Sequence, residues 1–384
     1  MDRVEHAHFY PSSCVPLTRR RFLSLASIGL GAAAGLPLAW TGSASAGAKT
    51  GEWTEGGMRR LIERYAVAKE DPWRIAHGIR GRGKEFALPG GEPAARYVLS
   101  TYATEQEING KRILYFPIAV EAHTNLFLNN LLEAGVPGSY TFEAGGRQYS
   151  LEALIDGAKA RFDLSKVHPN DIAWSLVSLS TGVPPVRRGW VNARGQRVQM
   201  TEFVERAFEV AEQATESMRR TWMQNQPLAG KSAIHDFTCG GTHLIYSLVV
   251  TVRNGYQVRN GEQRLRDQLG MLIYRMWADL DLIDRFFAAK VPDPSRPPAW
   301  WFQLDAKWKF LGHAFEVYHY ALAHRLVYPT PTEAKVVEAA GPVLRRLAEE
   351  VGRVDLQAIQ AHNLDLFRQF VGDTCHAYRG VHLA

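Results

Sequence analysis

HTNLFLNNLLEAG, from His123 to Gly135, and HLIYSLVVTVRNG, from His243 to Gly255, carry one rhythm: a histidine, an apolar run, and a glycine twelve residues on. Apolar residues three and four apart fall on one face of a 3.6-residue helix, and a glycine suits the residue just past a helix end. The same periodicity runs through residues 58–67, 122–132, 200–223, 265–287 and 310–327. Residues 151–162 and 333–354 read alike, with Ser150 and Thr332 placed to cap them. Strand-like alternation is rare. Pro89-Gly90-Gly91, Val136-Pro137-Gly138, Pro184-Pro185, Pro227 to Gly230 and Pro292 to Pro298 break the helices without forming a long polar linker. The expected fold is all-α, with residues 47–384 in a single domain.

The repeat extends beyond its first two copies. His313 opens a third such helix. His77 follows Asp71-Pro72-Trp73, where proline suits a first helical turn, and Trp174 follows Pro169-Asn170-Asp171 in the same way. With His362, the marked positions are 77, 123, 174, 243, 313 and 362, at intervals of 46 to 70 residues, each long enough for a helical hairpin and a loop. Six hairpins close a ring. On that count, and on Cys239-Gly240-Gly241-Thr242-His243 opening one helix, the chain resembles the α/α-toroid class of terpenoid cyclases, prenyltransferase β-subunits and polysaccharide lyases and hydrolases. The resemblance implies inner helices around a central cavity. The cyclases' Asp-x-Asp-Asp and Asp-Asp-x-x-Asp motifs are absent from this sequence.

A second resemblance concerns the leader. Thr18-Arg19-Arg20-Arg21-Phe22-Leu23 precedes a Gly- and Ala-rich apolar stretch that ends at Ala44-Ser45-Ala46. This order of charge, apolar run and small-residue site is similar to a twin-arginine signal peptide, residues 1–46. It implies the twin-arginine export machinery as a partner, cleavage before Gly47, and a periplasmic or secreted product with no stable membrane span.

The remaining 338 residues hold 41 basic and 37 acidic side chains. That balance, with no dense Lys/Arg block, argues against nucleic acid as a partner. Cys239 and Cys375 are the cysteines after the leader, giving one disulfide or none. Gly-x-Ser-x-Gly, His-Glu-x-x-His, phosphate-loop, dinucleotide and Cys-x-x-Cys-His motifs are all missing.

Chemistry concentrates in His235-Asp236-x-x-Cys239-Gly240-Gly241-Thr242-His243. His235, Asp236, Cys239 and His243 can ligate a metal, whereas Cys239, Gly240, Gly241 and Thr242 before a helix can instead bind substrate or an anion through backbone N–H groups, or form a capped turn. Glu121 and His123, and His313 with Glu316 and His319, are spaced for proton transfer or for structural hydrogen bonds. Asp279, Asp281 and Asp284 suggest either a magnesium site or a salt-bridged face with Arg275 and Arg285, the latter being the simpler reading. Trp300, Trp301 and Trp308 could stack on a sugar or anchor a loop. The expected function is a lyase or hydrolase of a small-molecule or glycan ligand. His77, His123, His243 and His313 with Glu121 or Glu316 would supply acid and base, and Trp174, Trp300 and Trp301 would line the substrate. The alternatives are a metal-binding protein and a noncatalytic helical scaffold. The sequence names no cofactor.

Overall fold

The computed structural model describes residues 50–187, 189–290 and 297–383. The leader and most of the 292–298 loop lie outside the described residues. The chain is mostly helical. Its helices are α1 (Thr50–Tyr65), α2 (Pro72–Arg82), α3 (Ala94–Tyr102), the short α4 (Ile118–Glu121), α5 (Leu126–Glu133), α6 (Leu151–Arg161), α7 (Ile172–Gly182) and α8 (Met200–Thr215). There follow the short α9 (Arg219–Met223), α10 (Thr242–Arg253), α11 (Gly261–Ala288), α12 (Ala299–Ala323), α13 (Pro331–Arg353), α14 (Leu356–His362) and α15 (Leu364–His382).

Three antiparallel hairpins qualify the all-α expectation: β1 (Thr104–Ile108) with β2 (Lys111–Tyr115), β3 (Thr141–Ala144) with β4 (Arg147–Ser150), and β5 (Gly189–Val191) with β6 (Arg197–Gln199). The first two turn on Asn109-Gly110 and Gly145-Gly146, each with both residues at positive φ. That backbone matches the twist of paired strands and is cheap only for such residues.

The helix packing closes on itself. α2 packs on α5, α5 on α7, α7 on α10, α10 on α12, α12 on α15, and α15 back on α2. Other helices lie against this circuit, α3 on α2, α6 on α7, α8 on α10, α11 on α12 and α14 on α15. The closing contacts are tight because glycines sit in them. A Cβ on Gly380 would lie 2.7 Å from the Glu316 backbone nitrogen, and one on Gly312 2.9 Å from the Ala377 Cβ, so α12 and α15 approach almost backbone to backbone. On the far side of α15, a Cβ on Gly372 would meet the Trp73 ring at 2.5 Å, which lets α2 come equally close. Trp308, Phe310, Phe367 and Phe370 are fully buried around this junction. Each such side chain contributes about 1.5–3 kcal/mol of transfer free energy.

Several boundaries move from their expected places. Residues 122–132 do not form one helix: Ala122 has φ 64° and Asn125 φ 68°, so the chain breaks after α4 and restarts at Leu126. The cap of α13 is Thr330 rather than Thr332; its hydroxyl accepts from the Glu333 N–H, the Glu333 carboxylate accepts from the Thr330 N–H, and Pro331 fills the first turn. Pro72 lies in the first turn of α2, as expected, and Asp71 caps it, accepting from the Arg74 N–H. Pro169 instead opens a 3₁₀ turn ahead of α7. Among the described residues no helix is long and apolar enough to cross a membrane.

Candidate metal centre

The circuit brings rings from each of its six helices, or from the turn that precedes one of them, to a common place. His77 comes from α2, His123 from the turn before α5, Trp174 from α7, His243 from α10, His313 from α12 and His376 from α15. All six line one cavity of about 20 Å³, shared with Trp73, Cys239, Lys309, Gln369 and Asp373. That volume holds about one water molecule. His313 and His376 stack with centroids 3.9 Å apart; His243 lies 4.8 Å from His313 and 5.0 Å from His376, and His123 stacks on Trp174 at 4.0 Å.

His77, His313, His376 and His123 are each fixed by a bond at Nδ1. His77 donates to the Trp73 carbonyl at 2.8 Å and His313 to the Lys309 carbonyl at 2.7 Å. A carbonyl only accepts, so these Nδ1 atoms carry the proton and Nε2 of the neutral ring keeps its lone pair. His376 Nδ1 donates to Glu316 Oε2 at 2.6 Å and His123 Nδ1 to Asp171 Oδ1 at 3.0 Å. Among the described residues, the buried Nε2 atoms of His123, His313 and His376 find no hydrogen-bond partner. Burial lowers His77 to about 4 and His313 to about 3, and pushes His243 and His376 well below the ordinary imidazole range. These four imidazoles are therefore neutral at pH 7, the form that binds metal.

Cys239 joins them through a strained turn. Cys239, Gly240 and Gly241 have φ of 52°, 62° and 76°, three left-handed residues in succession. At the cysteine this costs about 1–2 kcal/mol, and backbone strain of this kind concentrates at functional sites. Gly241 is doubly required, because a Cβ there would meet Ile234 Cδ1 at 2.3 Å. The turn sets the Cys239 sulfur and one ring nitrogen each of His243 and His313 within 4.8 Å of one another. Burial raises the Cys239 thiol well above its ordinary value. A cation beside it would reverse that shift.

Behind the rings is a second layer of charge. Glu316 accepts from Arg80 Nε at 3.0 Å and Arg379 Nη1 at 2.9 Å as well as from His376. Lys309, also buried, donates to Asp305 at 3.1 Å and Gln369 at 2.7 Å, and lies 4.0 Å from Asp373. Burial raises Asp305 and, much further, Asp373; Lys309 stays charged despite its own burial because these two carboxyls face it.

The expected site is thus partly assembled and partly dispersed. His77, His123, Trp174, Cys239, His243 and His313 meet; the sixth position belongs to His376, while His362 packs on Trp301 outside the cavity. Glu316 serves His376 rather than His313, and His319 turns away to donate to the Gly380 carbonyl. Glu121 does not line the cavity; its oxygens accept the Asn125 and Phe127 N–H groups at the start of α5. Burial raises Glu121 to about 8. His235 is taken up by Ser232 and Asp279, and Asp236 is exposed, so neither joins Cys239 and His243 as a ligand. Gly240, Gly241 and Thr242 shape the turn, with Thr242 donating to the Cys239 carbonyl, and are not in the cavity wall.

Other expectations resolve as packing. Trp300 is half exposed and Trp301 buried, both away from the cavity, and Trp308 donates to Thr374 in the core. Cys239 and Cys375 are free thiols. Asp279, Asp281 and Asp284 pair with Arg275, Arg285 and Lys307, but Asp279 is fully buried rather than solvated.

Sequence reading missed Trp73, Lys309, Gln369, Asp373 and His376. Their signal was available: Asp305, Lys309, His313 and Glu316 recur at three and four along an otherwise apolar helix, as do Gln369, Asp373 and His376. Comparison of the chain with protein-family models, with curated proteins and with solved structures finds no match.

Proposed function

We propose that this chain is an exported metalloprotein that holds one first-row transition ion through His243, His313 and Cys239, with His376 as the neighbouring third imidazole. The observation that carries this reading is a pair of neutral, Nδ1-anchored rings, His313 and His376, whose Nε2 atoms have no partner among the described residues, beside the Cys239 sulfur and a His243 nitrogen that lie within 4.8 Å of one another and of His313. An unpaired buried acceptor costs free energy, and two around one water-sized space are accounted for together by one cation. Imidazole and thiolate suit zinc, copper or iron rather than calcium or magnesium. The His376–Glu316 bond has the form of a carboxylate that orients a ligating histidine.

A small ligand such as water could complete the coordination. Zinc would activate it for hydrolysis, and copper or iron would bring redox chemistry. The fold that accompanies this reading is a single α/α toroid over residues 47–384, with α2, α5, α7, α10, α12 and α15 as its inner ring. The closed helix circuit supports it.

A second reading keeps the lyase or hydrolase. His376 hydrogen-bonded to Glu316 is also a general acid–base pair with Nε2 free. A cavity of about 20 Å³ admits no sugar ring, so in this reading only an exocyclic group of the substrate reaches the pair. The two separate on metal content at neutral pH. Wild-type protein exposed to zinc or copper and then desalted should retain one ion per chain, and His243→Ala should retain none; a folded wild-type protein that retains no metal leaves the acid–base reading.

A further inference from the structure

On the other side of His123 lies a larger space. A cleft of about 300 Å³ opens between β1, the C-terminal end of α6, the turn of the β5–β6 hairpin and the start of α7. Its size is that of an ordinary small-molecule site.

The cleft carries Arg161, Lys166 and Arg194 against the carboxylates of Asp163 and Asp171. Arg161 ends α6, half buried and stacked over the Tyr115 ring at 4.2 Å. Arg194 sits in the β5–β6 turn and reaches the Arg161 carbonyl at 3.5 Å. Neither forms an ion pair with a carboxylate among the described residues. The acidic residues of the cleft are already engaged, Asp163 with Ser165 and Lys166, and Asp171 with His123. Burial and the neighbouring Arg194 both lower Arg161, against the pull of Glu121 and Tyr115. Two arginines on one cleft wall that have no carboxylate pair of their own keep their N–H donors available to a bound anion.

The turn that presents Arg194 is rigid. Asn192 accepts the N–H groups of Arg194 and Gln196 and donates to the Phe162 carbonyl, while the Ala193 N–H donates to the Ala160 carbonyl. Asn109, at the tip of the β1–β2 hairpin, donates to the Ala193 carbonyl. Both hairpins are thereby fastened to the end of α6, where the arginines are. Phe162 and Ile108 add apolar wall, and Asn125 and Ser175 line the side nearest the histidines.

We infer that this cleft binds a small organic anion, its carboxylate or phosphate held between Arg161 and Arg194 and its apolar part against Phe162 and Ile108. The inference stands on the arginines and the cleft and does not depend on a metal. Asp171 belongs to the cleft and its hydrogen-bonded partner His123 to the histidine cavity, so one side-chain pair separates an occupant of the cleft from that cavity.

The test is calorimetric titration of the purified chain with phenyl phosphate and benzoate, with benzyl alcohol as the neutral control. Saturable 1:1 binding of at least one anion is expected, weaker at high salt and weakened about tenfold or more by either Arg161→Gln or Arg194→Gln. The remote surface change Arg345→Gln should leave it unaltered. Arg194 is exposed in its turn, so Arg194→Gln should unfold at the wild-type temperature, which keeps the test informative if Arg161→Gln disturbs the Tyr115 stack. No binding of either anion at millimolar concentration, equal binding of benzyl alcohol, or binding that Arg194→Gln leaves intact would overturn the inference.

Discussion

At the residue scale, the functional argument rests on which nitrogen of each ring is occupied. His313 shows the logic: its Nδ1 proton is committed to a carbonyl four residues back, so its Nε2 can only accept. Sequence reading found His77, His123 and His243 because each stands near a helix opening; His313 was expected to open a helix as well, but it lies in the middle of α12, which begins at Ala299 because the apolar period continues upstream through Trp301, Leu304 and Trp308. His376, beside Cys375, stands alone in the sequence and gives a weak signal, because it lies in the middle of α15 with no cap or turn beside it. The tautomers and the Cys239 strain were also hidden, since they depend on contacts and on φ. Cys239→Ser offers a test of the thiolate: a hard hydroxyl should lower affinity for zinc by at least about tenfold, read by competition with a chelator, while leaving the fold intact. The buried charge behind the rings gives another. Lys309→Met would leave Asp305 and Asp373 without their cation and should cost about 3–5 kcal/mol in denaturant unfolding. An effect under 1 kcal/mol would mean that both carboxyls are already neutral.

At the element scale, helices were legible and strands were not. The apolar period of α8 and α13 is read directly from the sequence and agrees with their exposed polar faces, whereas α11, also periodic at its ends, is buried on nearly every side from Gln268 to Leu280. The hairpins were missed because their strands are only three to five residues long, too short for a period of two to stand out even in β3, where exposed and buried residues alternate. The Asn109-Gly110 turn was the available clue. Thr332 was preferred to Thr330 because the capping position was placed after Pro331 instead of before it. The contact between α12 and α15 matters most for the site. Gly380→Ala should push these helices apart, costing about 1–3 kcal/mol of stability, and should weaken metal retention although Gly380 does not line the cavity. Stability lost with retention unchanged would show that the stacking of His313 on His376 is not needed to bind metal.

At the scale of the whole molecule, the closed circuit explains why rings widely separated in the sequence meet. The sequence interval hinted at this, but closure depends on α15 returning to α2 through Gly372, a contact between the two ends of the chain. The buried histidines also predict how stability depends on pH. In metal-free protein His77, His243, His313 and His376 have folded values below their unfolded value of about 6.5. Between the two the unfolded chain binds more protons, so stability falls as pH drops below about 6.5, by up to about 1.4 kcal/mol per pH unit for each ring. The loss ceases only as the folded rings take up protons, near 4 for His77 and 3 for His313. Glu121 and Asp373 are raised, so their contribution has the opposite sign and is lost as pH rises towards the folded value, about 8 for Glu121. Thermal unfolding across pH 4 to 9 should therefore show a maximum near pH 6.5, and bound metal should hold the neutral rings and steepen the acid limb. A profile that rises steadily towards pH 4 would mean that the imidazoles are not buried neutral.

The measurement that bears most directly on the metal centre is elemental analysis of the purified protein, free of metal-binding tags, beside His243→Ala and Arg194→Gln. The expected result is one zinc, copper or iron per chain in the wild type and in Arg194→Gln, and none in a folded His243→Ala. A wild-type chain that stays metal-free at neutral pH after exposure to all three ions, or a His243→Ala chain that keeps its metal, would contradict it.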